Sequence, residues 1–218
     1  MRSCVSVLSS LGVLAQFCLA QTVSVGLTGG GRATDDLTEP GATSVSKRYV
    51  IGPAVEIGLR FGLGLEANAL YRREGYETAF GNLGNSISSS ERANSWEFPV
   101  LVKYHLPVRG IQPFLEAGYA PRVIRGSITS DTVQVFPVAL PPQHSVQSTN
   151  WPTSQGVVAG GGIQFGISRL RFAPTLRYTH WNNIAISGGY VDGPGWRSTI
   201  DQLDVLVGIA WKIPGKTR

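Results

Sequence analysis

The sequence predicts an all-β chain, an eight-stranded antiparallel up-and-down transmembrane β-barrel, and three observations carry that prediction. Apolar and polar residues alternate with period two in stretch after stretch. The connections between those stretches are alternately long and short, and the aromatic residues of the apolar faces fall into two sets, one at each end. Period two is the mark of a strand, whose successive side chains point to opposite faces. Short turns at one end, long loops at the other and two aromatic belts belong to a barrel that crosses a membrane.

Residues 1–20, MRSCVSVLSSLGVLAQFCLA, place Arg2 before an apolar run from Val5 to Leu19 and end on the small residues Cys18 and Ala20. This reads as a secretory signal cut before Gln21. The run is too short and too interrupted for a helical anchor. Both cysteines, Cys4 and Cys18, lie inside it, so the segment after it has no thiols and is no disulfide-stapled domain. Loss of Arg2 lowers the formal charge from +5 to +4, and the basic residues form no run, which excludes a nucleic-acid partner. The barrel is assigned to 21–213 and a short tail to 214–218.

Taken in order, the first strand is the weakest, with Val23, Val25 and Leu27 alternating with Ser24, Gly26 and Thr28. A polar connection, 30–47, follows. Strands two and three form the clearest hairpin, RYVIGPAVEIGLRFGLGLEANALYRR, with odd positions apolar from Tyr49 to Phe61 and again from Leu65 to Tyr71. A glycine-containing three-residue loop at 62–64 pairs Phe61 with Leu65 and sets Arg60 opposite Glu66. Residues 74–93, rich in Gly, Ser and Asn, read as loop. The fourth strand, WEFPVLVKYHL, puts Trp96 to Tyr104 on the apolar face, and a short turn at 107–110 leads to the fifth, IQPFLEAGYAPR. The connection 123–154 is long enough to be suspect as functional or locally structured. Strand six runs from Gly156 to Gly166, a short turn follows, and strand seven is RFAPTLRYTHW. After the glycine-rich loop 182–200, LDVLVGIAWK forms the last strand.

With the short turns at the periplasmic end, Tyr49, Tyr71, Trp96, Tyr119 and Tyr178 form an outer girdle, and Phe61, Tyr104, Phe165, Phe172 and Trp211 an inner one. Tyr49 to Phe61 is twelve steps, about 28 Å along the membrane normal at ~3.3 Å per residue and ~45° tilt, close to the apolar band of such barrels. The opposite face carries Glu56, Glu66, Glu97, Glu116 and Asp204 with Arg60, Arg72, Lys103, Arg171, Arg177 and Lys212. An eight-stranded lumen is just filled by side chains, so this set predicts a paired polar plug. A soluble barrel with the apolar face inward is the competing arrangement, and it would have to house ten bulky aromatics.

On the opening hairpin, WEFPVLVKYHL and RFAPTLRYTHW, the chain resembles bacterial outer-membrane β-barrel domain proteins of the small eight-stranded OmpA/OmpX-like type, over about residues 21–213. The resemblance implies an outer-membrane location in a Gram-negative-type bacterium, with outer-membrane lipids and the barrel-assembly machinery as partners. Such barrels often end on an aromatic residue read by that machinery, whereas here Trp211 is followed by KIPGKTR. The expected role is structural or surface-interacting, non-enzymatic, with loops 30–47, 74–93, 123–154 and 182–200 as the contact surface. A narrow pore and a lipid-modifying enzyme are the alternatives.

No cofactor or metal is expected. His105, His144 and His180 fall on different elements and do not converge. His180 with Ser187 or Asp192 is the one conceivable hydrolytic group, at the outer rim, and nothing fixes its geometry. Gly29–Gly31 and Gly160–Gly162 lack the strand-to-helix setting of a phosphate loop and read as close lumen packing. Asp35, Asp36 and Glu39 lack the spacing of a Ca²⁺ loop. Arg60, Lys103, Arg109, Arg169, Arg171, Lys212, Lys216 and Arg218 gather near the periplasmic end, where anionic headgroups or luminal acids are equally good partners.

Overall fold

A computed structural model describes residues 22–38, 41–82, 84–108, 111–135, 138–188 and 195–213. The expected signal segment, the tail 214–218, Arg109 and Asp192 lie outside them. The strands are β1 (Thr22–Arg32), β2 (Thr43–Ser44), β3 (Tyr49–Gly58), β4 (Leu63–Asn68), β5 (Leu70–Asn82), β6 (Asn85–Glu97) and β7 (Val100–His105). They continue with β8 (Gln112–Val133), β9 (Gln143–Asn150), β10 (Ser154–Ile167), β11 (Leu170–Trp181), β12 (Ser187–Gly188), β13 (Trp196–Arg197) and β14 (Asp201–Ile213).

Eight walls close into an antiparallel barrel: β1, β3, β4 with β5, β6 with β7, β8, β10, β11 and β14, which returns to pair with β1. β4 and β5 keep one register against their neighbours across Ala69, as β7 and β6 do across Phe98-Pro99, so each pair is one wall interrupted by a local break. Following the pairing from Thr22 through Gly58, Gly64, Lys103, Glu116, Gly160, Arg177 and Asp204 returns to β1 at Arg32. One circuit therefore shifts the register by 32 − 22 = 10 residues. At ~3.3 Å per residue and ~4.8 Å between strands, that stagger over eight strands tilts them about 40°.

The faces are oriented as in a lipid-facing barrel. Leu27, Val102, Leu115 and Val157 are 57, 55, 62 and 65 % exposed, while Arg72, Glu97 and Asp204 are 1, 3 and 2 % exposed. Apolar side chains point out and charged ones in, which overturns the soluble alternative.

Two expectations are corrected, the hairpin register and the loop at 74–93, and the suspected connection 123–154 is locally structured. The β3–β4 loop is Arg60–Gly62, two residues earlier than expected, because Phe61 and Gly62 adopt left-handed φ of 62° and 76° that reverse the chain there. Glu56 thus pairs with Glu66 and Ile57 with Leu65, and Arg60 and Phe61 sit in the turn. Residues 74–82 and 85–93 are strand, since β5 and β6 pair from Leu70–Glu97 out to Asn82–Asn85. The connection 123–154 likewise continues β8 to Val133 and returns as β9, giving the projecting sheet the order β5-β6-β8-β9. Its strands extend past the closed part of the barrel, so the alternation that betrays a half-buried strand is absent while β-prone Thr, Val and Ile persist.

The remaining connections fold over the outer mouth. Residues 43–44 pair with β5, and β12 and β13 form a two-stranded hairpin. These carry Ala185, Ile186 and Trp196 onto Tyr76, Ala93 and Ile124, with Leu37, Ala42 and Trp151 packed around. The Trp196 and Tyr76 rings lie 4.9 Å apart.

Candidate functional site in the barrel lumen

Inward-facing residues stack in layers along the barrel axis. Nearest the periplasmic turns, Lys103 Nζ contacts Glu66 and lies 3.5 Å from Glu56 and 3.8 Å from Glu116, with the Phe114 ring 4.5 Å beneath it. Arg177 donates from Nε to Glu116 Oε1 at 2.7 Å and from Nη2 to Glu66 Oε1 at 3.2 Å. Arg171 reaches Glu56 at 3.4 Å, and Asn68 donates to Glu66 at 2.7 Å. Three acids meet three bases. A cavity of about 30 Å³ remains beside them, room for little more than one water.

Close approach of backbone makes this layer possible. A Cβ on Gly160 would lie 2.7 Å from the Leu176 carbonyl oxygen and 3.0 Å from Glu116 Oε1, and one on Gly162 would lie 2.2 Å from the Pro174 oxygen. These glycines leave the space that the charged side chains fill.

Above lies an apolar layer. Leu70, Leu101, Leu206, Ala120 and Val158 are each at most 1 % exposed and belong to the walls β5, β7, β14, β8 and β10. The strand parity places them between polar or charged residues of the same walls: Leu70 falls between Asn68 and Arg72, and Leu101 between Lys103 and Glu97.

The outer charged layer centres on Gln202, which is fully buried. Its Oε1 accepts from Arg32 Nη2 at 2.9 Å and Trp181 Nε1 at 3.1 Å, and its Nε2 donates to Asp204 Oδ2 at 2.7 Å. Arg72 Nη2 donates to Asp204 at 3.0 and 3.2 Å, while its Nε lies 3.4 Å from Glu97 without hydrogen-bond geometry. Glu74 sits 4.0 Å from Arg32 and 3.9 Å from Arg122, whose guanidinium lies 3.9 Å over the Trp181 ring. Again three acids, Glu74, Glu97 and Asp204, face three bases, Arg32, Arg72 and Arg122. The aromatic cover of Tyr76 and Trp196 lies outside this layer, flanked by a polar cavity of about 130 Å³ near Asp35, Asp36 and Arg48.

Of the eleven lumen residues the sequence points to, nine join these layers. Arg60 is drawn into the periplasmic turn and exposed by the register shift, and Lys212, half-buried near the end of β14, makes no ion pair among the described residues. Sequence reasoning missed Arg32, Glu74 and Gln202, which sit beyond the expected strand ends, and Arg122, the last residue of the expected fifth strand. Their inward parity, continued past those ends, was the signal available. The ten girdle aromatics lie on the outer face or in a periplasmic turn; Tyr71 meets Trp96 at 5.2 Å, and Phe165 stacks on Phe172 at 5.7 Å.

The histidines stay apart. His105 bonds Gln164 at 3.0 Å, His144 meets Asp131 at 2.6 Å and His180 meets Asp201 at 2.8 Å, on the oxygen that Tyr178 also engages. Ser187 pairs instead with Arg197 across β12–β13. Among the described residues, no three metal-binding side chains gather. Outside the membrane, burial pushes the Glu91 carboxyl up to about 7, opposite Tyr76 and Ile128, and leaves its Oε2 without a hydrogen-bond partner.

Residues 16–180 match the family described as outer membrane protein beta-barrel domain, most of the chain. The chain belongs to that family. Its place is therefore the outer membrane of a Gram-negative-type bacterium, embedded in the lipid bilayer. Among solved structures, the outer membrane protein OprG from Pseudomonas aeruginosa aligns with TM-score 0.57 at 12 % identity, over 90 % of this chain and 97 % of that one. Neisserial surface protein A aligns with TM-score 0.46 at 10 % identity, over 89 % of this chain and 98 % of its own. The first likeness establishes the shared barrel fold. No curated protein matches the sequence. The family and these neighbours are outer-membrane barrel proteins.

Proposed function

We propose that this outer-membrane barrel is closed to ions and works as a structural scaffold for a surface-contact element, the projecting β5-β6-β8-β9 sheet. The layering of the lumen carries the reading. An ion entering from either side meets a neutralised charged layer and then buried leucines, where the few polar side chains between them, such as Thr28 bonded to Asn68, are small replacement for its water shell. The Tyr76–Trp196 cover adds a second apolar barrier on the outside. The two aromatic sets are read as the membrane interfaces, which puts the paired part of β5, β6 and β8 beyond Tyr71 and Trp96 outside the bilayer. From Trp96 to Ser86 is ten residues, about 33 Å along the strand.

Planar-bilayer recording of the refolded chain tests the first half of the proposal. Silence is expected, and steady unitary conductance overturns it. Replacing residues 127–148 by a short glycine-serine turn tests the second half. The barrel is expected to keep its heat-modifiable gel mobility while surface binding or adhesion by expressing cells is lost. Unchanged adhesion would remove the sheet from the function. Recognition by the barrel-assembly machinery, despite the residues after Trp211, belongs to the same proposal, and its check is insertion of the chain in cells depleted of that machinery.

A further inference from the structure

Every cation of the two lumen layers meets an acid, whereas one row on the outer wall does not. Two residues beyond Tyr71 on β5 is Arg73, which pairs in register with Asn94 on β6, two residues beyond Trp96. Asn94 pairs in turn with Arg125 on β8. On the other side, the Lys47 amide donates to the Arg73 carbonyl oxygen at 2.9 Å, which extends the row to Lys47-Arg73-Asn94-Arg125. All four side chains are exposed, and none of the three cations makes an ion pair among the described residues. Arg92, one position further out, is held by Glu77 at 2.7 Å.

The row is inclined like the strands it crosses. At ~3.3 Å per residue and a tilt of ~40°, Arg73 lies about 5 Å outside Tyr71, and Arg125, two strands on, about 6 Å further out, so the row spans the level of lipid headgroups if those aromatics mark the interface. Tyr71 Oη donates to Asn94 Oδ1 at 2.7 Å, and the amide nitrogen of Asn94 is thereby left with two donors between the guanidinium groups. Arg73 and Arg125 are two strands apart, about 10 Å between Cα atoms, a span that lets both planar forks turn toward one phosphate. The opposite wall differs. At the outer end of β11 and β14, His180 and Asp201 are paired with each other, so the unpaired positive charge is confined to one side.

We propose that Lys47, Arg73, Asn94 and Arg125 form a binding site on the outer wall for the phosphate of a phosphorylated glycolipid in the outer leaflet. The proposal takes the aromatic girdle of the preceding section as the interface level.

The test uses the chain folded in neutral detergent, with diphosphorylated lipid A and its dephosphorylated form as probes and intact-protein mass spectrometry as the readout of retained lipid. The wild type is expected to retain the phosphorylated probe roughly tenfold or more better than R73Q/R125Q. R73K/R125K is expected to fall between, because ammonium keeps the charge and loses the fork. H180Q/D201N, on the opposite wall, is expected to match the wild type. All variants replace exposed side chains, and heat-modifiable gel mobility reports that each has folded. Equal retention by wild type and R73Q/R125Q overturns the site, as does equal retention of the two probes. Full competition by inorganic phosphate at matched concentration overturns the lipid as its source. Quenching by brominated lipids, compared between wild type and Trp96→Phe, reports the depth of Trp96 separately. A Trp96 at the interface with no retention difference refutes the site while leaving the girdle reading intact.

Discussion

The two charged layers of the lumen carry the same complement, three acids and three bases, and hold it differently. In the periplasmic layer Lys103 stands among three glutamates and Arg177 makes two hydrogen bonds to two of them. In the outer layer a neutral amide, Gln202, is the hub, two ion contacts stretch to 3.9 and 4.0 Å, and Arg32 Nε, Arg72 Nε and Nη1, Arg122 Nε and Glu74 Oε1 have no hydrogen-bond partner, against Glu116 Oε2 and Arg177 Nη1 in the periplasmic layer. Equal charge does not mean equal rigidity: Coulomb attraction tolerates distance, while hydrogen bonds fix position. The periplasmic layer is therefore the stiff one, and the outer layer depends on its aromatic cover to exclude water.

Substitutions separate the two. Lys103→Met leaves Glu56, Glu66 and Glu116 with one partner too few, and the expected cost is about 3–5 kcal/mol, read as a lower urea midpoint in lipid vesicles. A near-neutral Lys103→Met would end the distinction between the layers. Trp196→Ala removes the largest side chain of the outer cover, at an expected local cost of about 3 kcal/mol. Hydrogen exchange is expected to rise in β12, β13 and the outer end of β14 while β4 and β7 stay protected. Gln202→Leu strips the hub from the outer layer and is expected to cost about 1–3 kcal/mol, less than Lys103→Met. A larger loss in the same urea assay would make the outer layer the rigid one.

The smallest effect is set by pH. Glu91 holds its proton up to about pH 7 in the folded sheet and to about 4.5 once exposed. Between those values the folded form binds the extra proton, so the sheet is expected to be most stable below about pH 4.5 and to lose that contribution as pH rises to 7. Hydrogen exchange in β5 and β6 across this range is the measurement, and Glu91→Gln should flatten it.

The faces of the barrel were legible because lipid outside and charge inside impose opposite chemistry on alternate residues over walls such as β3 and β4. The hairpin register was not. Gly62 and Gly64 both suit a turn, and a two-residue slip preserves parity, so no face changed when Arg60 moved out of the lumen. Leu70 and Leu101 were visible on the inward side but looked like exceptions to a polar face; only the three-dimensional stacking makes them a layer. Half of the outer charged layer was missed because Glu74 and Arg32 lie where both faces of the wall become polar. There the alternation fades although the strand continues, and composition alone reads as loop.

The seam between β1 and β14 joins residues about as far apart in sequence as this barrel allows, with Val23 against Ile213. β14 also brings Asp204 to Arg72 and Gln202 to Arg32. Zipping the seam and completing the partners of those two arginines are thus expected to be one late event in assembly, since contacts between distant chain segments form slowly. A barrel lacking this strand would have two open edges and two inward guanidinium groups each short of a hydrogen-bonded partner, left with Glu97 and Glu74 alone. Closing the wall and completing the polar lumen therefore depend on one and the same strand.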